Sequence, residues 1–275
     1  MKPPPLDYIR AFTTQDILSV LANAGSDTRI LAGGQSLMAM LNMRLAQPSI
    51  LIDIMHVGEL TGVTIEHGKT VIPAAVRQAE LAEWQGLSKT LPLLAQMMPW
   101  IGHAQTRSRG TVCGSIAHAD PSAELPLALI TLDGEVALRS RKRRRVVQAA
   151  DFFSGTMLTC KEDDEFIEAV RFPVSDGKAG TAFREIGRRK GDFAIVSCAA
   201  IARGKSVRLG VGGVNDIPFI RDFDGLEVSG IPDALNELAW SLDARGDLHA
   251  DARYRRELVR NLGAQVIGEA LQCAT

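Results

Sequence analysis

The stretch RILAGGQSLMAMLNMRLAQPSILIDI, residues 29–54, decides how this chain is read. Residues 29–31 are short and apolar, as a strand would be, and Gly33-Gly34 interrupt them. Leu37, Met38, Met40, Leu41 and Leu45 then recur at helical spacing as far as Pro48, and residues 49–54 read as a second strand. The order is strand, glycine loop, helix, strand. Two glycines at such a junction leave backbone N–H groups uncovered and permit unusual dihedrals, which is what a diphosphate requires of a protein. The same pair also suits an ordinary tight turn. Named nucleotide motifs do not decide the matter, because no third glycine follows to complete G-x-G-x-x-G, and G-x-x-x-x-G-K-[ST] is absent. Asp53 stands at the distance of a ribose-binding acid and equally well at a strand end.

Working outward, 275 residues suit about two domains, and 46% hydrophobic with 23% charged residues is ordinary for a soluble globular chain. A net charge of -1 gives no overall attraction to nucleic acid or an acidic membrane, so neither partner is expected. Cys113, Cys160, Cys198 and Cys273 lie dozens of residues apart, and the five histidines form no i, i+4 pair. No metal site of this chain's own is expected. The start, Met-Lys-Pro-Pro-Pro-Leu-Asp, resembles no signal peptide and no stretch is long enough to span a bilayer, so the cytoplasm is the expected compartment.

Thr14–Ala24 reads as a helix stopped by Gly25, residues 63–66 and 70–72 as a hairpin around His67-Gly68, and Gln78–Glu83 as a helix continuing in pieces through 91–98. A helix is expected over 122–132 with Asp120 as cap, although Pro126 argues for a kink or a later start. Residues 135–147 suit a hairpin with a basic tip, Arg141-Lys142-Arg143-Arg144-Arg145, which is either a solvated turn or a dock for an acidic partner. Residues 173–180 make the best boundary. Beyond it, strands near 183–187, 194–202 and 207–214 precede helices around 232–242 and 251–271.

The second glycine-bearing loop, Gly110-Thr111-Val112-Cys113-Gly114-Ser115, runs on into Ile116-Ala117-His118-Ala119-Asp120-Pro121-Ser122-Ala123-Glu124-Leu125-Pro126. Here the chain resembles the FAD-binding medium subunits of molybdenum hydroxylases, a family that includes the flavoprotein subunits of carbon monoxide dehydrogenase and bacterial xanthine dehydrogenase. Residues 32–36 resemble that family's A-G-G-[QH]-[ST] loop, residues 111–115 its T-[IV]-G-G-[SN] loop, and residues 117–126 its A-x-A-D-P-x-[AS]-[DE]-x-P tail. The resemblance spans essentially the whole chain.

It implies an α+β fold: a two-lobed FAD-binding domain of the vanillyl-alcohol-oxidase (PCMH) type over 1–175, with lobes of about 1–55 and 56–175, and a small α+β C-terminal domain over 178–275. It also implies that Ala32, Gly33, Gly34, Gln35, Ser36, Thr111, Cys113, Gly114 and Ser115 line the FAD pyrophosphate. Glu124 stands where the family has an acid near the ribose or adenine, and Arg184 near where some members have a lysine beside the flavin. Phe193 would pack near the ring system, with core packing as the alternative. Cys113 departs from the family's usual glycine. Either it avoids a positive φ or the loop adjusts, at a cost of about 1–2 kcal/mol that would weaken flavin retention.

The implied role is that of an electron-transfer subunit. A large partner subunit would carry the molybdenum cofactor and a small one the 2Fe-2S clusters, while FAD on this chain would pass electrons to an external acceptor. No residue here need act as acid, base or nucleophile. Two alternatives stand beside this role, a stand-alone flavin-dependent oxidase and a non-catalytic nucleotide-binding scaffold. The roughly 100 residues after the boundary leave little room for the cap domain that an oxidase usually needs.

Overall fold

The computed structural model describes residues 2–274. It is α+β, with three main sheets. The first is parallel, in the order β1-β3-β2, and its chain path is β1 (Asp7–Arg10), α1 (Thr14–Ala24), β2 (Thr28–Leu31), α2 (Leu37–Asn42) and β3 (Ile50–Asp53). α1 starts at a capping box, in which the Thr13 hydroxyl accepts from the Asp16 N–H at 3.2 Å, and it buries Ile17, Leu18 and Leu21. Asp53 closes β3 by accepting from the Met55 N–H at 2.9 Å and from the Tyr8 hydroxyl, so it serves as a strand-end turn residue.

The second sheet is antiparallel. β4 (Thr64–Glu66) and β5 (Lys69–Pro73) form its first hairpin, and a run of short helices follows: α3 (Gln78–Glu83), α4 (Leu87–Thr90), α5 (Pro92–Met97), α6 (Ala104–Arg109), α7 (Val112–His118) and α8 (Glu124–Thr131). β6 (Glu135–Arg139), β7 (Arg144–Gln148), α9 (Ala149–Phe152), a small hairpin of β8 (Phe153–Gly155) and β9 (Leu158–Thr159), and β10 (Phe166–Pro173) complete it in the order β4-β5-β10-β6-β7. α8 begins at Glu124, later than residue 122, and Pro126 then falls in the first turn, where a missing N–H breaks no helical bond. Asp120 does not cap it; its Oδ1 accepts from the Ser122 N–H at 2.8 Å in the preceding turn.

The basic hairpin is partly neutralised from within. Arg139 and Arg144 pair with Glu168 at 2.8 and 3.2 Å, and Arg145 grips the fully buried Glu165 through bonds of 2.8 and 2.7 Å. Arg143 joins Glu162 and Glu165. Glu162, Glu165 and Glu168 thus pair four of the arginines, while Arg141 and Lys142 at the tip itself are exposed and, among the described residues, make no ion pair.

The third sheet runs β11 (Gly180–Ile186), β12 (Val196–Arg203), β13 (Ser206–Gly212) and β14 (Phe219–Phe223), all antiparallel, followed by α10 (Ile231–Ser241) and α11 (Ala252–Cys273). Its two faces go to different cores. Ala182, Cys198, Ala200 and Ala202 pack with α10 and α11, whereas Phe183 and Ala199 join the large core of the preceding 170 or so residues. Glycine makes the second contact close: a Cβ on Gly210 would lie 2.1 Å from the Thr131 Oγ1 of α8.

Arg255 pins α11 to the loops that end nearer the middle of the molecule. Its buried guanidinium donates to the carbonyls of Ile195 at 2.5 Å and Gly213 at 2.6 Å, and to the Asp247 carboxylate at 2.5 Å. Arg255→Met keeps the stem and strands all three acceptors. We expect it to lower the unfolding free energy by about 3 kcal/mol, read as a lower urea midpoint with unchanged slope.

Candidate functional site

Both glycine bends meet. A Cβ on Gly33 would lie 2.3 Å from the Arg109 carbonyl oxygen and 2.5 Å from the Gly110 Cα, so no other residue fits while the two backbones touch in this way. Gly34 adopts φ 70°, in the left-handed region that glycine occupies without strain. Among the described residues, none of the N–H groups of Gly33, Gly34, Gln35 and Ser36 donates to a protein acceptor; the Gln35 side chain instead donates to the Gly33 carbonyl at 3.1 Å. Four consecutive unpaired amides around a left-handed residue form an anion-binding concavity.

The second bend is shorter than its sequence suggested, because Val112 onward is already helix α7. It is stitched in place by the Gln78 N–H donating to the Gly110 carbonyl at 2.8 Å and the Val112 N–H to the Val76 carbonyl at 3.1 Å. Thr111 caps α7, its Oγ1 accepting from the Gly114 N–H at 3.0 Å. A Cβ on Gly114 would lie 2.6 Å from that hydroxyl oxygen, which is why glycine stands there. Cys113 lies in the helix, outside the positive-φ residues, so the strain foreseen for it does not arise. Its thiol points into the core, 3.4 Å from the Ile72 carbonyl, and burial pushes its pKa up to about 12.

Between the bends runs a cleft of about 670 Å³, within the range of small-molecule sites. Ala32, Gly33, Gly34, Gln35, Ser36, Thr111, Cys113, Gly114, Ser115, Glu124 and Phe193 all line it. Arg184 does not. It lies on the far side of β11, where its guanidinium pairs with Glu269 of α11 at 2.8 Å. Phe193 is 56% exposed at the cleft and so is not a core residue.

Several lining residues carried no readable signal. Gln78 is buried, its Oε1 has no partner, and its Nε2 reaches toward the Thr111 carbonyl at 3.4 Å. Lys161 sits in an acidic run, yet burial lowers its pKa and its Nζ donates to the carbonyls of Glu162 and Glu165 at the cleft wall. Gly191 and Asp192 enter from the loop after β11, with the His103 ring close against Gly191.

Uncovered amides, an apolar wall and few charges suit an extended anionic ligand held along its length. Among the described residues no group of three or more His, Cys, Asp or Glu side chains is placed to hold a metal ion, and Cys198, like Cys113, is raised to about 12 by burial. Ser115, His118 and Asp120 occur within one helix and the turn after it, and no hydrogen bond joins their side chains.

Known proteins fit this geometry. Nicotine 6-hydroxylase medium subunit of Paenarthrobacter nicotinovorans is 35% identical, over 98% of this chain and 99% of that protein. From the same organism, the 6-hydroxypseudooxynicotine dehydrogenase complex subunit alpha is 33% identical, over 100% and 97%. The solved carbon monoxide dehydrogenase of Hydrogenophaga pseudoflava, in a form lacking the Mo-pyranopterin moiety, superposes with a TM-score of 0.94 and 29% identity, each chain covered completely. Residues 4–175 match the family described as the FAD binding domain in molybdopterin dehydrogenase. The cleft, its two bends and the whole course of the chain thus place this protein in the molybdopterin-dehydrogenase FAD-binding family.

Proposed function

We propose that the chain is the FAD-carrying, electron-transferring medium subunit of a heteromeric molybdenum hydroxylase. The observation that carries this reading is the run of four unpaired amides at residues 33–36, set against the second bend. An FAD diphosphate matches that concavity in charge and in its need for bare backbone. When bound, FAD supplies the electron-transfer chemistry; the chain supplies binding, orientation and electrostatics. Residues 33–36 and 111–115 hold the diphosphate, Glu124 faces the ribose or adenine side, and Phe193 lies toward the ring. Arg184, engaged by Glu269 away from the cleft, has no part in this assignment.

A large subunit carries the molybdenum cofactor, a small one carries 2Fe-2S clusters that deliver electrons to this chain, and an external acceptor removes them. Residues 1–175 act as the FAD-binding domain and 178–275 as the C-terminal domain. The complex works in the cytoplasm; no helix among the described residues is long and apolar enough to cross a membrane.

The recombinant chain reconstituted with FAD should show a flavin absorption spectrum at one FAD per chain. Affinity purification from the native host should bring down two further chains together with molybdenum and iron. A colourless chain after reconstitution defeats the assignment, and an active single polypeptide points to an oxidase. Gly34→Ala places a side chain at positive φ at a cost of about 1–2 kcal/mol, so FAD affinity should fall roughly tenfold in a fluorescence titration while the fold persists. Cys113→Gly should retain FAD no better than the parent, and should lose about 1 kcal/mol or more of stability by placing glycine inside α7.

A further inference from the structure

Glu185 feels the charge of Glu124, a residue of the cleft wall, and has no task in the scheme above. It is buried in β11, and its Oε2 finds no hydrogen-bond partner. Directly across in β12 stands Ser197, also buried, with its Oγ unpartnered. On the same side lies Glu124, buried at the start of α8, whose carboxylate charge acts on Glu185. No hydrogen bond joins the Glu185 and Ser197 side chains, and a buried carboxylate with neither a cation nor a hydrogen bond is costly unless it holds a proton.

The surroundings offer no relief. The turn before α8 brings Asp120, a third acid, toward Glu124. β13 presents Gly212 opposite Ser197, and the neighbouring Phe183 of β11 meets the Trp100 ring. The cleft side has His118 of α7. The adjacent cation, Arg184, projects to the opposite face and is bound by Glu269. Burial raises Glu185 to about 8, with the Glu124 charge adding to it, and raises Glu124 to about 7.

We propose that Glu185 is a positioning residue that must keep its proton for the cleft to hold an anionic dinucleotide. While Glu185 is neutral, the acids on this side are Glu124 and, through it, Asp120. Once Glu185 ionises, two neighbouring carboxylates repel each other and the incoming anionic dinucleotide. Binding at higher pH therefore returns a proton from solvent to Glu185, and affinity falls as pH rises through the range where that proton is lost. By linkage, one proton taken up per ligand bound costs up to tenfold in affinity per pH unit.

The inference rests on the FAD reading, and titration of the full chain with FAD across pH 6.5–9, followed by flavin fluorescence, tests the two separately. We expect wild-type affinity to weaken 5- to 10-fold between pH 8 and 9, above the range in which Glu124 loses its own proton. Glu185→Gln, an amide of the same shape with no proton to lose, should vary less than twofold between pH 8 and 9, whereas Glu185→Asp should retain the fall. The folded chain keeps protons on these acids that the unfolded chain releases above about pH 4.5, so stability is lost as pH rises from there through 8. Glu185→Gln should accordingly melt above wild type at pH 9 and level with it near pH 4.5. A level wild-type profile overturns the proposal, as does a Glu185→Gln variant that keeps the wild-type fall or fails to fold. Failure of both proteins to bind FAD at any pH overturns the FAD reading, and the proposal with it; pH-independent binding overturns the proposal alone.

Discussion

Everything at the cleft depends on one close approach, the Gly33 backbone against the carbonyl of Arg109 and the Cα of Gly110. The parallel sheet and the antiparallel sheet share no strand, so their relative position is set by contacts such as this one rather than by a common ladder. Bringing two backbones together without side chains between them has a cost, since amides that would otherwise bond to water or protein are left bare. A diphosphate can offset that cost. A site built in this way has affinity written into its main chain, and side-chain identity matters chiefly through what it must not obstruct.

Charge is distributed around that approach with some economy. Bare amides supply the positive potential where an anion would lie, while Glu165, Glu124 and Glu185 are kept either paired or neutral. Glu165 shows the first device: burial alone would raise its pKa, yet two bonds from Arg145 and a backbone N–H from Glu162 outweigh burial and keep it low. Glu124 and Glu185 show the second, having no cation and little water.

The amino-acid pattern marked the bends through adjacent glycines at a strand-to-helix junction, which also suit an ordinary turn, and the resemblance to a family decided between the two. It revealed less where neighbours in space are distant in sequence. Cys113 looked strained in a loop, but a Thr111 cap turns the same residues into the first turn of a helix and sends the thiol inward. Arg184 looked close to the cofactor by its family position, yet alternation along β11 puts it on the α11 side and puts its neighbour Glu185 on the face toward Glu124. β14 escaped notice as a half-exposed edge strand whose five residues show no clean alternation. Gln78 could not be foreseen as a cleft residue, because its position depends on a bend more than thirty residues away.

The third sheet gives one face to its own helices and the other to α5 and α8, with Phe183 and Ala199 inside the larger core. A chain cut near residue 176 would therefore bare an aromatic-bearing surface on one fragment and an unroofed helix layer on the other. Any replacement for the tail that packed the same way would need a glycine opposite Thr131, as Gly210 is here. Heating should release pigment and tail in a single cooperative event rather than in two.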